Sequence, residues 1–303
     1  MQSIQNLKTE VVKILKKYQN EQKKCSYLNC NENSIVSHTI SKSQLKLISP
    51  DGNLYKIEFN LYTSTFQMVK TGINKFSTFY GFCNIHDNNL FKIIDKIGNS
   101  ELINNPIINE ICYLSFYRLI IQEKYKKTTN LKSNPEISKI LQNANISLND
   151  LLSIGQNLAL IDIARIENMI FKAIKEKKYS KIKYKIYKFH ELPISFGFTF
   201  MPECVVNEEN ISKADSFKPK ASMSFFSLHT IKNKYIIVCW LTPDNKICSN
   251  FLNQFIDKYS LLKFCMFNSE NNAYNQLWWD NTPDEVKNQF LDYYLNLHLY
   301  NLP

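Results

Sequence analysis

Two pairs of residues with metal-binding side chains lie in the first third of the sequence. Cys25 and Cys30 are separated by four residues, and Cys83 and His86 by two. Thiolate sulfur and imidazole nitrogen are donors that zinc prefers, and short loops deliver them in pairs to a tetrahedral site. Cys83 and His86 are expected at the start of a helix, where residues three apart share a face and can reach one ion. The spacing therefore predicts a structural Zn²⁺ site, the alternative being ordinary thiols and a polar histidine at a helix end.

His38 lies between these two pairs, in a polar stretch of the chain. Its neighbours carry hydroxyl or ammonium groups: Ser37, Thr39, Ser41, Lys42 and Ser43. Hydrolysis of a phosphodiester needs a base that is unprotonated near neutral pH, and histidine is the side chain suited to that task. The residues alone leave two interpretations of His38: a general base, or a histidine that binds the zinc ion or makes a structural hydrogen bond.

The segment that carries these residues contains signals for strands, a turn and a helix. SIVSHTI and LYKIEFNLYT have the composition of strands, with a Pro-Asp-Gly-Asn turn at 50–53 between them. DNNLFKIIDKI has helical spacing, and the 52 residues between Cys30 and Cys83 leave room for a β-hairpin. An amphipathic helix is predicted upstream, over 4–18. Together these signals predict a small ββα unit in which bound zinc supplies folding energy that so small a core lacks.

The order CxxxxC, a strand ending in SHTI, and a helix opening with CNIHD resembles the HNH nucleases of the His-Me finger (ββα-metal) class in their zinc-stapled form. The resemblance covers residues 23–98, which lie in the first third of the chain. It implies that the two cysteine-containing pairs bind structural zinc, with His86 where the family more often has a fourth cysteine. It also implies that His38 is the general base and that Asp87, directly after the last zinc ligand, helps to hold a catalytic Mg²⁺ or Mn²⁺ ion.

Two positions depart from the family pattern. Ser37 precedes the histidine where the family often has an acidic residue, and the asparagine expected before the CxxH helix is missing from the stretch 77–80. The favoured interpretation is an HNH-like endonuclease that hydrolyses DNA, a type of protein suited to bacterial defence against phage. The alternative is a catalytically inactive zinc module for recognition of nucleic acid or protein. A purely structural subunit of a larger complex is the third interpretation.

The remainder of the chain predicts an α+β protein of three domains. Residues 1–98 form the zinc-binding HNH-like domain, 99–185 a helical connector, and 186–303 an α+β domain with an antiparallel sheet. The connector contains NEICYLSFYRLIIQEKYKK and a long helical segment from Leu148. In the last domain, strands are expected in ISFGFTFMP, in a hairpin around Lys232-Asn233 and in LLKFCMF, and a final helix is expected to begin at Thr282-Pro283.

The charge balance points to a polyanionic partner. The chain has 37 Lys and Arg residues against 27 Asp and Glu residues, a formal net charge of +10. A basic surface gains free energy by releasing counterions from phosphates, so we expect nucleic acid as the partner. The charge does not distinguish DNA from RNA, and DNA is the favoured partner. Candidate contacts are Lys42 beside His38 and three alternating lysines at 181, 183 and 185. Lysines on one strand face can follow a phosphate backbone, but they also protect an exposed edge strand from pairing with other chains.

The other cysteines and the apolar runs bear on where in the cell the protein is located. Five further cysteines are scattered through the chain and are expected in the core: Cys112, Cys204, Cys239, Cys248 and Cys265. The N-terminus lacks the features of a secretory signal, and the longest apolar run, YIIVCWL, is too short to cross a bilayer. These features predict a cytoplasmic protein without membrane contact, whose last domain is expected to bind a protein partner.

Overall fold

The structure is a computed structural model that describes residues 23–49, 51–60, 63, 65–97, 101–129, 150–202 and 220–299. The helix predicted over 4–18 and the core position predicted for Cys204 lie outside these residues. Within them, helices combine with antiparallel sheets, so the predicted α+β fold class is confirmed. None of the helices in this part of the chain combines the length and apolar character that a bilayer-spanning segment requires.

The first part of the fold is a two-stranded ladder followed by a helix, with a hairpin inserted between the strands. In chain order, the elements are β1 (Val36–His38), α1 (Lys42–Ile48), β2 (Asn53–Asn60), β3 (Thr65–Gly72), β4 (Thr78–Tyr80) and α2 (Asn84–Asp95). β1 pairs antiparallel with β4, and His38 lies opposite Thr78. The helix α1 was not predicted from the sequence. It begins after Ser41, whose side chain accepts a hydrogen bond from the backbone N–H of Gln44.

Two long helices form the next layer. α3 (Ile108–Thr129) and α4 (Asp150–Glu176) confirm the helical pattern predicted for this region. The middle of α3 is buried on every side, because α2, α4 and the C-terminal strands all pack against it. α3 is therefore the centre of the main hydrophobic core, which also includes Phe82, Phe91, Ile166 and Ile237.

The C-terminal sheet is antiparallel and is covered on both faces. Its strands are β5 (Ile182–Phe189), β7 (Gly197–Phe200), β8 (Met223–His229) and β9 (Lys234–Leu241), in the order β5-β9-β8-β7; the short β6 (Ile194–Ser195) precedes β7. Along β9, Ile237 and Cys239 face the α3 core, whereas Ile236 and Val238 face a second core. The second core is closed by α5 (Asn245–Leu252) and α6 (Lys258–Asn268).

α6 corrects one prediction, because LLKFCMF is helical rather than a strand. A short apolar run does not distinguish a strand from a buried helix by periodicity alone. Asp257 decides the outcome through a capping box with Ser260, in which each side chain bonds the backbone N–H of the other residue. The chain ends with β10 (Ala273–Asn275), α7 (Gln276–Asn281) and α8 (Asp284–Leu299), and α8 begins where the Thr-Pro signal predicts.

Strand pairing crosses the predicted domain boundaries. A four-stranded sheet has the order β3-β2-β10-β6, so that β10 joins the N-terminal hairpin to the C-terminal part of the chain. Tyr274 of β10 pairs with Tyr55 of β2 on one side and with Ile194 of β6 on the other. β5 also spans residues on both sides of the predicted boundary at 185. The three-domain division remains a prediction, while the described residues share sheets and cores across it.

Candidate metal centre

A tight loop brings Cys25 and Cys30 to the same side of the chain. The backbone N–H of Cys25 donates to the carbonyl of Glu32 at 2.9 Å, and that of Cys30 donates to the carbonyl of Tyr27 at 3.0 Å. Asn29 turns the chain with a φ of 63°, a left-handed conformation that asparagine tolerates better than most residues. The loop thus presents both thiols in one direction, as the spacing predicts.

The second pair lies at the N-terminus of α2. Cys83 is the N-cap residue of the helix, and His86 follows in the first turn. The backbone N–H of Cys83 donates to the sulfur of Cys25 at 3.2 Å, so the loop and the helix are in direct contact. Residues three apart in a helix point to the same side, which directs both members of this pair at the loop thiols.

The four ligand atoms come together in one cluster, and all lie within 4.8 Å of one another. Nδ1 of His86 lies 3.5 Å from the sulfur of Cys25 and 3.2 Å from that of Cys83. The sulfurs of Cys30 and Cys83 are 3.9 Å apart, close to the ~3.8 Å expected for two thiolates on one tetrahedral zinc ion and far beyond a disulfide bond. The cluster could therefore hold a metal ion such as zinc.

The protonation chemistry of these side chains fits metal binding. Burial raises the pKa of the Cys25 thiol to about 11. Burial also acts to raise the pKa of the Cys83 thiol, but the backbone N–H groups of His86 and Ile85 and neighbouring thiols more than offset it, and the net shift is downward. Burial lowers the pKa of His86, which favours the neutral imidazole that binds metals. A metal ion must displace the Cys25 proton, so binding releases protons and is favoured by rising pH.

Aromatic residues support the cluster from outside. The Tyr27 ring stacks on the His86 ring with centroids 3.9 Å apart, and it also makes a T-shaped contact with the ring of Phe171 in α4. The hydroxyl of Tyr117 in α3 donates to the carbonyl of Ser26 at 3.2 Å. These contacts fix the orientation of the imidazole and of the loop, as groups around a metal site commonly do.

His38 is half-buried at the end of β1. Its Nε2 lies 3.2 Å from the carbonyl oxygen of Ile73, and a carbonyl only accepts, so Nε2 carries the proton and Nδ1 keeps its lone pair. Burial lowers the pKa of His38, and the charges of Lys42 and Arg118 lower it further against the opposing effects of Ile73 and Asp87. His38 is therefore a neutral imidazole at neutral pH. The structure places it outside the cluster of metal-ligating atoms.

Asp87 follows His86 in the first turn of α2. Its Oδ1 is buried and has no hydrogen-bond partner within the described ranges. Its negative charge raises the pKa of both His38 and Arg118, which places these groups within electrostatic reach of one another. Ser37 is turned inward, where its hydroxyl accepts a hydrogen bond from the backbone N–H of Phe82 at 3.3 Å. Of Asp87 and Ser37, only Asp87 therefore has a side-chain oxygen without a hydrogen bond to another described residue.

The candidate lysines are exposed. Lys42 is the first residue of α1, and its charge acts on His38. Lys183 and Lys185 alternate along β5, an edge strand of the described C-terminal sheet, and Lys181 directly precedes it. None of these four residues forms an ion pair with another described residue. An exposed edge fits both interpretations of the lysines, contact with phosphates and protection of the edge.

Sequence reasoning missed Arg118, a buried cation close enough to His38 to lower its pKa. One signal was available, since Arg118 is the only charge in the apolar helical run ICYLSFYRLII. A charge is rarely buried without a specific reason. The scattered cysteines 112, 239, 248 and 265 are buried, as predicted.

In comparisons with known proteins, no protein-family model matches the chain, and no curated protein or solved structure shows a significant match to it.

Proposed function

We propose that the protein is a metal-dependent nuclease that hydrolyses phosphodiester bonds of DNA, with a structural zinc ion in the Cys3His cluster. The observation that carries the proposal is the position of His38. It lies on a two-stranded ladder that is followed directly by the helix bearing Asp87 and the second metal-ligand pair. A ladder followed by a helix supports the ββα arrangement that the sequence resemblance implies.

The protonation state of His38 supports a role as general base. Nε2–H is held by the carbonyl of Ile73, and the lowered pKa keeps Nδ1 unprotonated at neutral pH. A base in this state can take a proton from water that attacks a phosphodiester. Asp87 would help to hold a divalent cation, which supplies a positive charge that stabilises the phosphate as its negative charge grows. The uncommitted Oδ1 of Asp87 is the type of hard oxygen that Mg²⁺ and Mn²⁺ bind.

Cleavage of supercoiled plasmid and linear DNA, with Mg²⁺ or Mn²⁺, tests this proposal. We expect His38→Ala to reduce the cleavage rate by about 100-fold or more, because general bases contribute ~10²–10⁴ in rate. The matched control is His190→Ala, which removes an exposed histidine outside the site and should cleave as wild type does. Zinc content must be equal in all three proteins. Equal cleavage by His38→Ala and wild type would exclude His38 as the base.

A second function is favoured by Ser37. Its hydroxyl is committed to the backbone of Phe82, so it offers Asp87 no help in holding a cation. A zinc-stabilised module that recognises nucleic acid without cutting it would tolerate this arrangement. Binding of DNA by both wild type and His38→Ala, with cleavage by neither, is the result that this second function predicts. A protein partner for the C-terminal region and a role in phage defence remain predictions from the sequence.

A further inference from the structure

A cavity lies where α1, α3 and the C-terminal sheet meet. It has about 360 Å³ of space between atoms, part of it open to solvent. Because part of this space is open solvent, its enclosed part has room only for a small ligand. The cavity walls include Thr39 after β1, Ser115 and Arg118 of α3, and Gly197 of β7, but none of the four metal-ligating residues.

Arg118 is the charged residue of this cavity. Arg118 is buried, with a relative exposure of 5%. Its side chain forms no hydrogen bond or ion pair with any residue in the described ranges. The guanidinium carbon lies 3.8 Å from the centroid of the Phe91 ring, which supports one face of the group and leaves its edge free. A buried cation without a paired anion has an unfavourable desolvation free energy, so the buried position of Arg118 favours binding of a negatively charged group.

The described residues that line the cavity do not supply that counter-charge. Asp87 and Asp95 attract the guanidinium from α2, but neither lines the cavity or forms an ion pair with Arg118. No carboxylate is among the described residues that line the cavity. The space beside Arg118 is thus electropositive and can accept an anion from solution.

Two hydroxyl groups are available beside the arginine. Thr39 Oγ1 is buried and lacks a hydrogen-bond partner in the described part of the chain. Ser115 lies one turn before Arg118 on α3 and lines the same cavity, and its hydroxyl makes no hydrogen bond to another described residue. By contrast, the side chains of Gln44 and Ser41, which also line the cavity, already bond protein groups. The unused donors therefore come from two separate segments, the β1–α1 connection and α3, and belong to residues that line one cavity.

We propose that this cavity binds a small oxyanion of the phosphate class through the Arg118 guanidinium and the hydroxyls of Thr39 and Ser115. The planar guanidinium can bond two phosphate oxygens at once, and the hydroxyls can serve the others. A phosphate group offers more acceptor oxygens than a carboxylate, which matches donors from two elements. The group can come from free inorganic phosphate or from a phosphodiester of nucleic acid. Because Thr39 directly follows His38, the bound anion lies near the proposed base, but the inference does not depend on cleavage.

Isothermal titration calorimetry on the zinc-loaded full-length protein tests the proposal. Inorganic phosphate and a dinucleoside monophosphate are titrated separately, in chloride buffer of matched ionic strength without Mg²⁺ or Mn²⁺. We expect Arg118→Met to weaken binding about tenfold or more, because hydrogen bonds to charged groups are the strong ones. The control is Lys46→Met, which removes the same charge from the exposed side of α1 and should bind as wild type does.

The two ligands identify the source of the phosphate. Arg118-dependent binding of inorganic phosphate supports the proposal with a free anion as the ligand. Arg118-dependent binding of the dinucleotide alone supports it with a nucleic-acid phosphodiester as the ligand. If neither ligand binds wild type, or if Arg118→Met binds as wild type does, the proposal is overturned. No cleavage is measured, so a failure of the nuclease proposal leaves this result unaffected.

We expect Arg118→Met to fold, because replacing a buried charge by an apolar side chain of similar length is often neutral or stabilising. Should it fail to fold, Thr39→Val provides the second test, since valine has the shape of threonine without its hydroxyl. Binding of the ligand several-fold weaker in Thr39→Val supports the cavity site, and unchanged binding overturns it.

Discussion

At the scale of single residues, burial lowers the pKa of three histidines, His38, His86 and His229. His229 is the extreme case, with a fully buried ring whose Nε2 lies 3.1 Å from the carbonyl oxygen of Ile194. Its Nδ1 is buried without a partner among the described residues. Burial, assisted by the charge of Lys234, lowers the pKa of His229 to about 3. His229 therefore stays neutral in the folded protein at any pH near neutrality.

This shift predicts a specific loss of stability in acid. The folded pKa of about 3 is below the unfolded value of 6.5, so between these values the unfolded state binds a proton that the folded state does not. The contribution of neutral His229 to the free energy of unfolding is therefore fully present above pH 6.5 and decreases at lower pH. We expect His229 to contribute a loss of about 2 kcal/mol in the free energy of unfolding between pH 7 and pH 5. Urea unfolding of wild type and His229→Gln at both pH values measures it.

The comparison between proteins isolates His229 from the other groups that titrate. His38 and the metal ligands titrate in both proteins, so only the difference between their pH dependences belongs to His229. His190→Gln is the control, because His190 is exposed, and it should lose as much stability in acid as wild type. An identical loss in His229→Gln and wild type would contradict the assignment.

The residues of the two candidate sites differ in how far the sequence could predict them. Each metal-ligand pair is local, so a spacing of five or three positions is enough to suggest that two side chains reach one ion. The anion cavity instead combines Thr39 with Ser115 and Arg118, which are more than 70 positions away. No local spacing rule connects such residues. Only the tertiary fold brings them to the wall of one cavity.

At the scale of secondary-structure elements, local signals predicted most of the observed structure. The β8–β9 hairpin was predicted from residues typical of strands on either side of Lys232-Asn233, and the start of α8 from the Thr-Pro signal. α1 was missed because its seven residues give too little periodicity, and its cap at Ser41 lies in a stretch rich in hydroxyls. β10 has three residues and depends on β2 and β6 for its pairing, so nothing in its own sequence marks it.

The link between the Cys25 loop and α2 gives a prediction at this scale. We expect Cys83→Ala to lose the metal ion and several kcal/mol of stability, because the ion joins the loop to the helix and its binding energy is part of the folding energy. Cys248→Ala removes another buried thiol, on α5 and outside the cluster, and should retain the metal. Metal analysis and thermal unfolding of both variants provide the measurement.

A chelator gives an independent check on the same point. Wild type treated with a strong chelator should unfold at the temperature of Cys83→Ala, and the chelator should leave that variant unchanged. A metal-free wild type as stable as the untreated protein would show that the ion does not stabilise the fold.

At the scale of the whole molecule, the candidate metal unit is joined to the rest of the chain. Gln44 of α1 exchanges two hydrogen bonds with the backbone of His229 in β8, at 3.0 Å and 2.6 Å. Phe82 and Phe91 share a core with Tyr117 of α3 and with β9. β2 is covered on one edge by β10, nearly 220 positions later in the chain. The unit that resembles a compact zinc domain therefore depends on distant segments for its packing.

This dependence predicts that residues 1–98 do not fold cooperatively when expressed alone, even with zinc. Without α3, the rings of Phe82 and Phe91 lose their partner surface, and without β10 one edge of β2 is unpaired. We expect the fragment to give a poorly dispersed NMR spectrum and no cooperative thermal transition. Co-expression with residues 99–303 is the control, and it should restore folding because it returns both partners. A fragment that melts cooperatively with one bound zinc would instead establish 1–98 as an independent domain, as the sequence predicts.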